Sequence, residues 1–238
     1  MARLARLCIA EQLHLVIQRS RRDEPVLATS ADNDAYLACL REAAIAANVA
    51  IHAFALTPTQ VRILATPPND SALSAMLQFA GRQFVAPYNR RHARHGPLWD
   101  GRFHATVVDA DQHYIECVRF VETAPVQMRV AEHAEQWPWS SAAHHCGRKV
   151  APGLTEHRRL WALGNTPFER EMAYRRLLDL PLGEARSKEI ESAALHGWAI
   201  GPARFIESMA LRVDRPLRPA RRGRPAAKSQ GTDAEMPV

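Results

Sequence analysis

Ile51-His-Ala-Phe-Ala-Leu-Thr-Pro-Thr-Gln-Val-Arg-Ile-Leu-Ala-Thr66 is the stretch on which the fold turns. Residues 51–56 and 61–66 are short β-rich runs, and Thr57-Pro-Thr-Gln60 between them is short enough to make a hairpin. Working outward, Leu13-His-Leu-Val-Ile-Gln-Arg19 alternates as a strand does. Residues 32–49 place Tyr36, Leu37, Leu40, Ala44 and Ile45 at helical spacing, with Asp32 or Asn33 positioned as the cap. Downstream, Pro67-Pro-Asn-Asp70 ends the second strand of the hairpin. A helix follows over 72–88, with Leu73, Met76, Leu77, Ala80 and Phe84 on one face. A further strand over 102–108 and a helix over 109–121 complete the order β-α-β-β-α-β-α. Its first six elements form the split β-α-β, ferredoxin-like pattern, an α+β fold with helices on one face of an antiparallel sheet.

Beyond Trp137-Pro-Trp139 the pattern is helical only, over 155–162, 167–178, 184–195 and 202–212. Gly, Pro and basic residues cluster at 147–152, which divides the chain into a core (1–146), a helical C-terminal region (147–213) and a basic tail (214–238). The tail has no apolar face and is expected to be disordered alone. With 47% hydrophobic and 24% charged residues in 238, the composition excludes a wholly disordered or fibrous chain. No apolar run is long enough to span a membrane. Glu11, Gln12 and His14 interrupt the basic, apolar N-terminus before a signal-peptide core can form, so a cytoplasmic location is expected. Cys8, Cys39, Cys117 and Cys146 form no CxxC pair and read as buried or half-buried thiols.

The net charge of +6 is unevenly placed. Between Arg212 and Lys228 seven basic residues face one acid, Asp214, so this stretch alone equals the net charge of the chain. A basic, Pro-rich tail on a near-neutral body points to an anionic polymer, with nucleic acid the first candidate. Within it, Arg221-Arg-Gly-Arg-Pro225 has the form of an AT-hook core, in which Gly admits the backbone to a narrow minor groove and the arginines follow its negative potential. A plain polybasic tail is the alternative, and both readings imply nucleic-acid affinity.

Several motifs in order carry a resemblance. His52-Ala-Phe-Ala-Leu-Thr-Pro-Thr-Gln-Val-Arg-Ile-Leu-Ala-Thr-Pro67, Arg82-Gln-Phe-Val-Ala-Pro-Tyr-Asn-Arg90, Gly96-Pro-Leu-Trp-Asp-Gly-Arg102, Cys117-Val-Arg-Phe-Val-Glu-Thr-Ala-Pro-Val126 and Trp137-Pro-Trp-Ser-Ser141 together resemble the HUH tyrosine transposases associated with bacterial REP palindromes. The run from Leu163 to Arg224 is similar to that group's tail region. The resemblance implies a metal-dependent strand cleavage: two histidines flanking one apolar residue bind Mg or Mn, and a tyrosine attacks the scissile phosphate. Here the histidine positions fall on Gln60 and Arg62, and the tyrosine on Phe120; the family Asn falls on Ala124. Gln60 is a poor metal ligand and Arg62 is a permanent cation, so neither a metal site nor a nucleophile is expected.

The expected function is therefore recognition of hairpin or palindromic DNA with single-stranded flanks, without cofactor, membrane or metal and with cleavage lost. Monomer and homodimer are both open. The rival is an active nuclease using a substitute tyrosine, Tyr114, one turn before Val118; a decayed gene product without a selected role is a third option. His14 on the first strand is a single imidazole that could face the same pocket. His52 is expected in a surface or capping role, and the His144-His145 pair at a frayed helix end. The candidate DNA contacts are Arg19, Arg82, Arg90, Arg91, Arg94, Arg102, Arg221, Arg222 and Arg224, with Trp99, Tyr88 and Phe103 offering faces to unpaired bases. Arg21 and Arg22 follow Arg19 where the family carries Gln-Arg-Gly; Ser20 stands in place of that glycine.

Overall fold

The computed structural model describes residues 7–219; Arg221, Arg222 and Arg224 lie outside them. Alternation over β1 (Leu13–Arg19), β2 (Ala50–Thr57), β3 (Gln60–Thr66) and β4 (His104–Val108) gives four strands, paired antiparallel in the order β2-β3-β1-β4. The helices α1 (Ser30–Ala46), α2 (Ala72–Arg91) and α3 (Ala110–Glu122) alternate with them as the sequence order requires. This is the expected α+β, ferredoxin-like core. Among the described residues no helix is long and apolar enough to cross a membrane, and all four cysteines are free thiols.

Local signals differ in detail. The cap of α1 is Thr29, whose hydroxyl accepts from the Asp32 amide; Asp32 and Asn33 lie inside the first turn. Asp32 instead turns its buried carboxylate to Arg91 and His92 at the far end of α2. That helix runs through Pro87 to Arg91, one turn beyond its last buried residue, Tyr88.

Helices cover both faces of the sheet, not one. Val16, Val61, Ile63, Ala65, Leu56 and Phe54 pack toward α1 and α2. Leu13, Leu15, Ile17, Ala53, Ala55 and Leu64 face the other way, onto α3 and onto α8 (Glu184–His196). Short helices α4 (Ala124–Gln127), α5 (Ala142–His145) and α6 (Arg158–Trp161), then α7 (Pro167–Asp179), lead to α8; α9 (Ala203–Ala210) follows it. The sequence pattern showed that these C-terminal helices exist. It did not show that Ile190 and Ala194 of α8 and Tyr174 of α7 share the core of the sheet.

Backbone bridges fasten the same region to both sheet edges. Ile51 pairs with Leu154, Ala55 with Ser140, and Val108 with Ile200. Gly197 ends α8 in the left-handed conformation, φ +69°, where a side chain would be strained. The chain can then turn back and lay Ile200 along β4. Residues 147–213 are thus a helical region but carry no separate core. Part of the expected tail also belongs to the body: Leu217 is buried, and Arg215 and Arg218 donate to backbone carbonyls of residues 196, 197 and 203.

Candidate functional site

Strand register sets Gln60 and Arg62 on one face of β3, and α3 brings Phe120 against them. Arg62 lies opposite Ile17 on β1 and Ala55 on β2, and Gln60 lies opposite Arg19. Gln60, Arg62 and Arg19 therefore share the face covered by α3 and α8. Arg62 is 4% exposed. Its guanidinium lies over the Phe120 ring, 4.2 Å from the centroid. It donates to the Phe120 carbonyl and to Gln127 Oε1, both at 3.0 Å, and to Gln60 Oε1 at 3.3 Å. Glu191 of α8 lies 3.8 Å from it and accepts from Arg19 at 2.7 Å. Burial pulls the Arg62 pKa down to about 10, opposed by Glu191 and aided by Arg19, and the side chain stays charged at neutral pH.

These residues do not fit a divalent cation. The lone pair that Gln60 could offer already accepts from Arg62, and a fixed positive charge fills the space between the strand and α3. His14 does not contribute. It lies on the opposite face of the sheet, where its Nδ1 donates to the Gln12 carbonyl and its Nε2 accepts from the Ile9 amide. A cavity of about 1100 Å³ opens beside Phe120, Gln127 and Glu191. Its walls carry Glu132, Glu135, Asp179, Glu184 and Glu191 against Arg129 and Lys188, a balance that repels a phosphate backbone.

The tyrosine and histidines read from sequence are interior groups. Tyr114 is 1% exposed, its ring stacks on His157 at 4.2 Å, and its hydroxyl has no hydrogen-bond partner among the described residues. Burial, with Glu122 and Glu156, pushes its pKa well above the ordinary value. An attacking tyrosine must reach the strand and shed its proton, and Tyr114 is placed for neither. His52 is buried rather than superficial: its Nδ1 donates to the Thr155 carbonyl and its Nε2 accepts from the Thr66 hydroxyl.

Two motifs quoted from the sequence meet in a cluster that reasoning from sequence missed. Glu122, at the end of α3 and fully buried, accepts from the Ser141 hydroxyl, from His145 Nδ1 at 2.6 Å and from the Tyr174 hydroxyl at 2.5 Å. His145 is thus a held, buried residue and not part of a frayed end. The only signal in the sequence was a carboxylate in an otherwise apolar helix face. The cluster clamps α3, α5 and α7 to one another.

The arginines expected to meet DNA divide into two sets. Arg19 is paired with Glu191, Arg91 with Asp32 at 2.7 Å, and Arg94 with Glu24 at 2.5 Å; Arg102 is half-buried. Arg82 and Arg90 are exposed and make no ion pair among the described residues, as do Arg21 and Arg22. The loop after α2 is fastened to the end of β1, where the Arg21 amide donates to the Leu98 carbonyl and the Asp100 amide to that of Arg19. Tyr88, Trp99 and Phe103 are buried and offer no open ring face; Trp99 packs edge-on against Tyr36.

No family model matches this chain, and no curated protein does. Among solved structures the likeness is to the REP-associated tyrosine transposase bound to a REP hairpin, with a TM-score of 0.53 and 16% identity over 66% of this chain and 92% of that one. A candidate transposase from Deinococcus radiodurans R1 aligns with a TM-score of 0.36 and 19% identity, over 54% of this chain and 95% of that one. This chain has the REP-associated tyrosine transposase fold.

Proposed function

We propose that the chain is a DNA-binding protein of REP-associated tyrosine transposase descent, recognising hairpin or palindromic DNA in the cytoplasm with strand cleavage and joining lost. The observation that carries this reading is Arg62, seated on Phe120 and hydrogen-bonded to Gln60. The cation, the missing nucleophile and the missing ligand occupy one another's space, so the three changes act as a single packed unit. The solved structure with this fold that is bound to a REP hairpin supports DNA as the partner. The unpaired Arg21, Arg22, Arg82 and Arg90 supply the phosphate contacts, with the tail arginines Arg221, Arg222 and Arg224 adding affinity. No divalent cation is held at Gln60 and Arg62.

The test is a labelled hairpin oligonucleotide with single-stranded flanks, incubated with Mg²⁺ or Mn²⁺. The expected result is a shifted complex without a covalent protein–DNA band; a covalent band overturns the loss of chemistry. Gln60→His, Arg62→His and Phe120→Tyr together form the set expected to regain the adduct. The two histidines alone leave no nucleophile, and nicking by that pair would place the nucleophile elsewhere.

A further inference from the structure

After Gly197 the chain lays Ile200 against Val108, turns at Pro202 into α9, and returns so that the Leu217 carbonyl accepts from the Ala199 amide. These segments, with the start of α3 and one face of α8, enclose a cavity of about 780 Å³. Ligand pockets commonly hold about 300–1,000 Å³. Ile190 and Ala193 line it from α8, whose opposite face, with Lys188 and Glu191, lines the cavity beside Phe120. The two cavities are therefore separate.

The walls are mainly apolar, with Pro202, Ile206 and Trp198 among them. Trp198 is held firmly. Its amide donates to the Ala193 carbonyl at 2.9 Å, and its carbonyl accepts from the buried Thr106 hydroxyl. His196 stacks on its indole, with centroids 4.3 Å apart and planes 10° from parallel. The residue is nevertheless only half-buried at the cavity wall. A ring fixed and backed in this way offers a platform to a second flat ring at small entropic cost. Charge then selects among flat ligands. Arg186 and Glu189 on the walls pair with each other at 2.7 Å, whereas Arg218 makes no ion pair among the described residues. Its guanidinium donates once, to the Ala203 carbonyl at 3.2 Å, which positions it and leaves the remaining N–H groups of the fork for an acceptor.

We propose that this cavity binds a small planar aromatic carboxylate, with its ring on Trp198, Pro202 and Ile206 and its carboxylate on Arg218. One uncompensated positive charge suits a monoanion, and Glu189 disfavours the second negative charge of a phosphate. A neutral ring forfeits the charged hydrogen bond, and a cation meets Arg218. Leu217 and Arg218 belong to the strap that leads into the basic tail, so a bound acid fastens that strap to the body. The inference is independent of the DNA-binding reading.

The experiment titrates the full chain, without DNA, against 2-naphthoate, the neutral 2-naphthamide, the cationic 2-naphthylmethylamine and AMP, using calorimetry. One equivalent of 2-naphthoate should bind, and the amide should bind at least about tenfold more weakly. Arg218→Glu, at an exposed position where folding is not at stake, should abolish 2-naphthoate binding and admit the amine. Trp198→Leu should weaken 2-naphthoate as well; if that variant does not fold, Arg218→Glu still decides. No 2-naphthoate binding at about millimolar concentration, equal binding of acid and amide, or binding unchanged by Arg218→Glu overturns the site. Tighter binding of AMP than of 2-naphthoate overturns the ligand class.

Discussion

The Arg62 guanidinium lies over the Phe120 ring at 4.2 Å and donates to the carbonyl oxygen of that same residue at 3.0 Å. One side chain thus ties β3 to the C-terminal end of α3 through both the ring and the backbone. Removing it leaves the Phe120 carbonyl and Gln127 without their donor, while Glu191 keeps Arg19 as its counter-charge. Arg62→Ala should therefore cost about 2–3 kcal/mol, below the full cost of breaking an isolated buried pair. Arg62→Met, which refills the volume, should cost less. Urea unfolding followed by circular dichroism measures both. Equal losses would mean that the polar contacts, and not the packing, dominate.

Glu122 accepts three side-chain hydrogen bonds with no exposed surface, so its loss strands three donors in the interior. Glu122→Ala should destabilise by about 3–5 kcal/mol, and Tyr174→Phe, which removes one donor only, by about 1–2 kcal/mol. Proteolysis should then cleave first within α7, since Tyr174 is its one buried residue. Early cleavage within the sheet instead would refute the clamp.

Stability should fall as pH drops from about 6.5 to 4. His14 is fully buried; desolvation lowers its pKa from 6.5 to about 4, outweighing the Gln12 hydrogen bond and Asp70, which raise it. In that window the unfolded chain binds a proton that the folded chain does not, so unfolding is favoured as pH falls. The stabilisation is present in full above 6.5 and gone below about 4. Protonating Nε2 would break the bond from the Ile9 amide. The contribution is about 3 kcal/mol across the window, and comparing the pH dependence of urea midpoints for wild type and His14→Asn isolates it. Parallel curves for the two proteins would exclude His14 as the cause.

Truncation of the tail should begin after Pro219 and not before Asp214, because Leu217 is buried and its carbonyl accepts from the Ala199 amide. The segment removed still carries Arg221, Arg222, Arg224 and Lys228. If each contacts one phosphate, the slope of log K against log salt on duplex DNA should become shallower by about 3–4. Hairpin preference should survive in the truncated protein and disappear on charge reversal at Arg82 and Arg90. An unchanged salt slope after truncation would remove the tail from the binding account.

Local pattern was enough for the scaffold. The alternation in residues 13–19 is β1 to the residue, and Thr57-Pro-Thr-Gln60 set two strands in a hairpin. The β-α-β-β-α-β-α order stands as read, because strand alternation and helical spacing are properties of neighbouring residues. The resemblance placed Gln60, Arg62 and Phe120 in the same site, and their side chains do meet. What only tertiary structure decided is which groups at long range complete each environment. Arg19, read as a DNA contact, is neutralised by Glu191, 172 positions away. Trp99, read as a stacking face, lies inside against Tyr36. Glu122 finds Ser141 and His145 at the two ends of α5 and Tyr174 on α7. A helix pattern marks an apolar stripe without naming the surface that the stripe covers. When α8 closed over the second face of the sheet, it determined which charges stayed open to a partner and which were consumed within the fold.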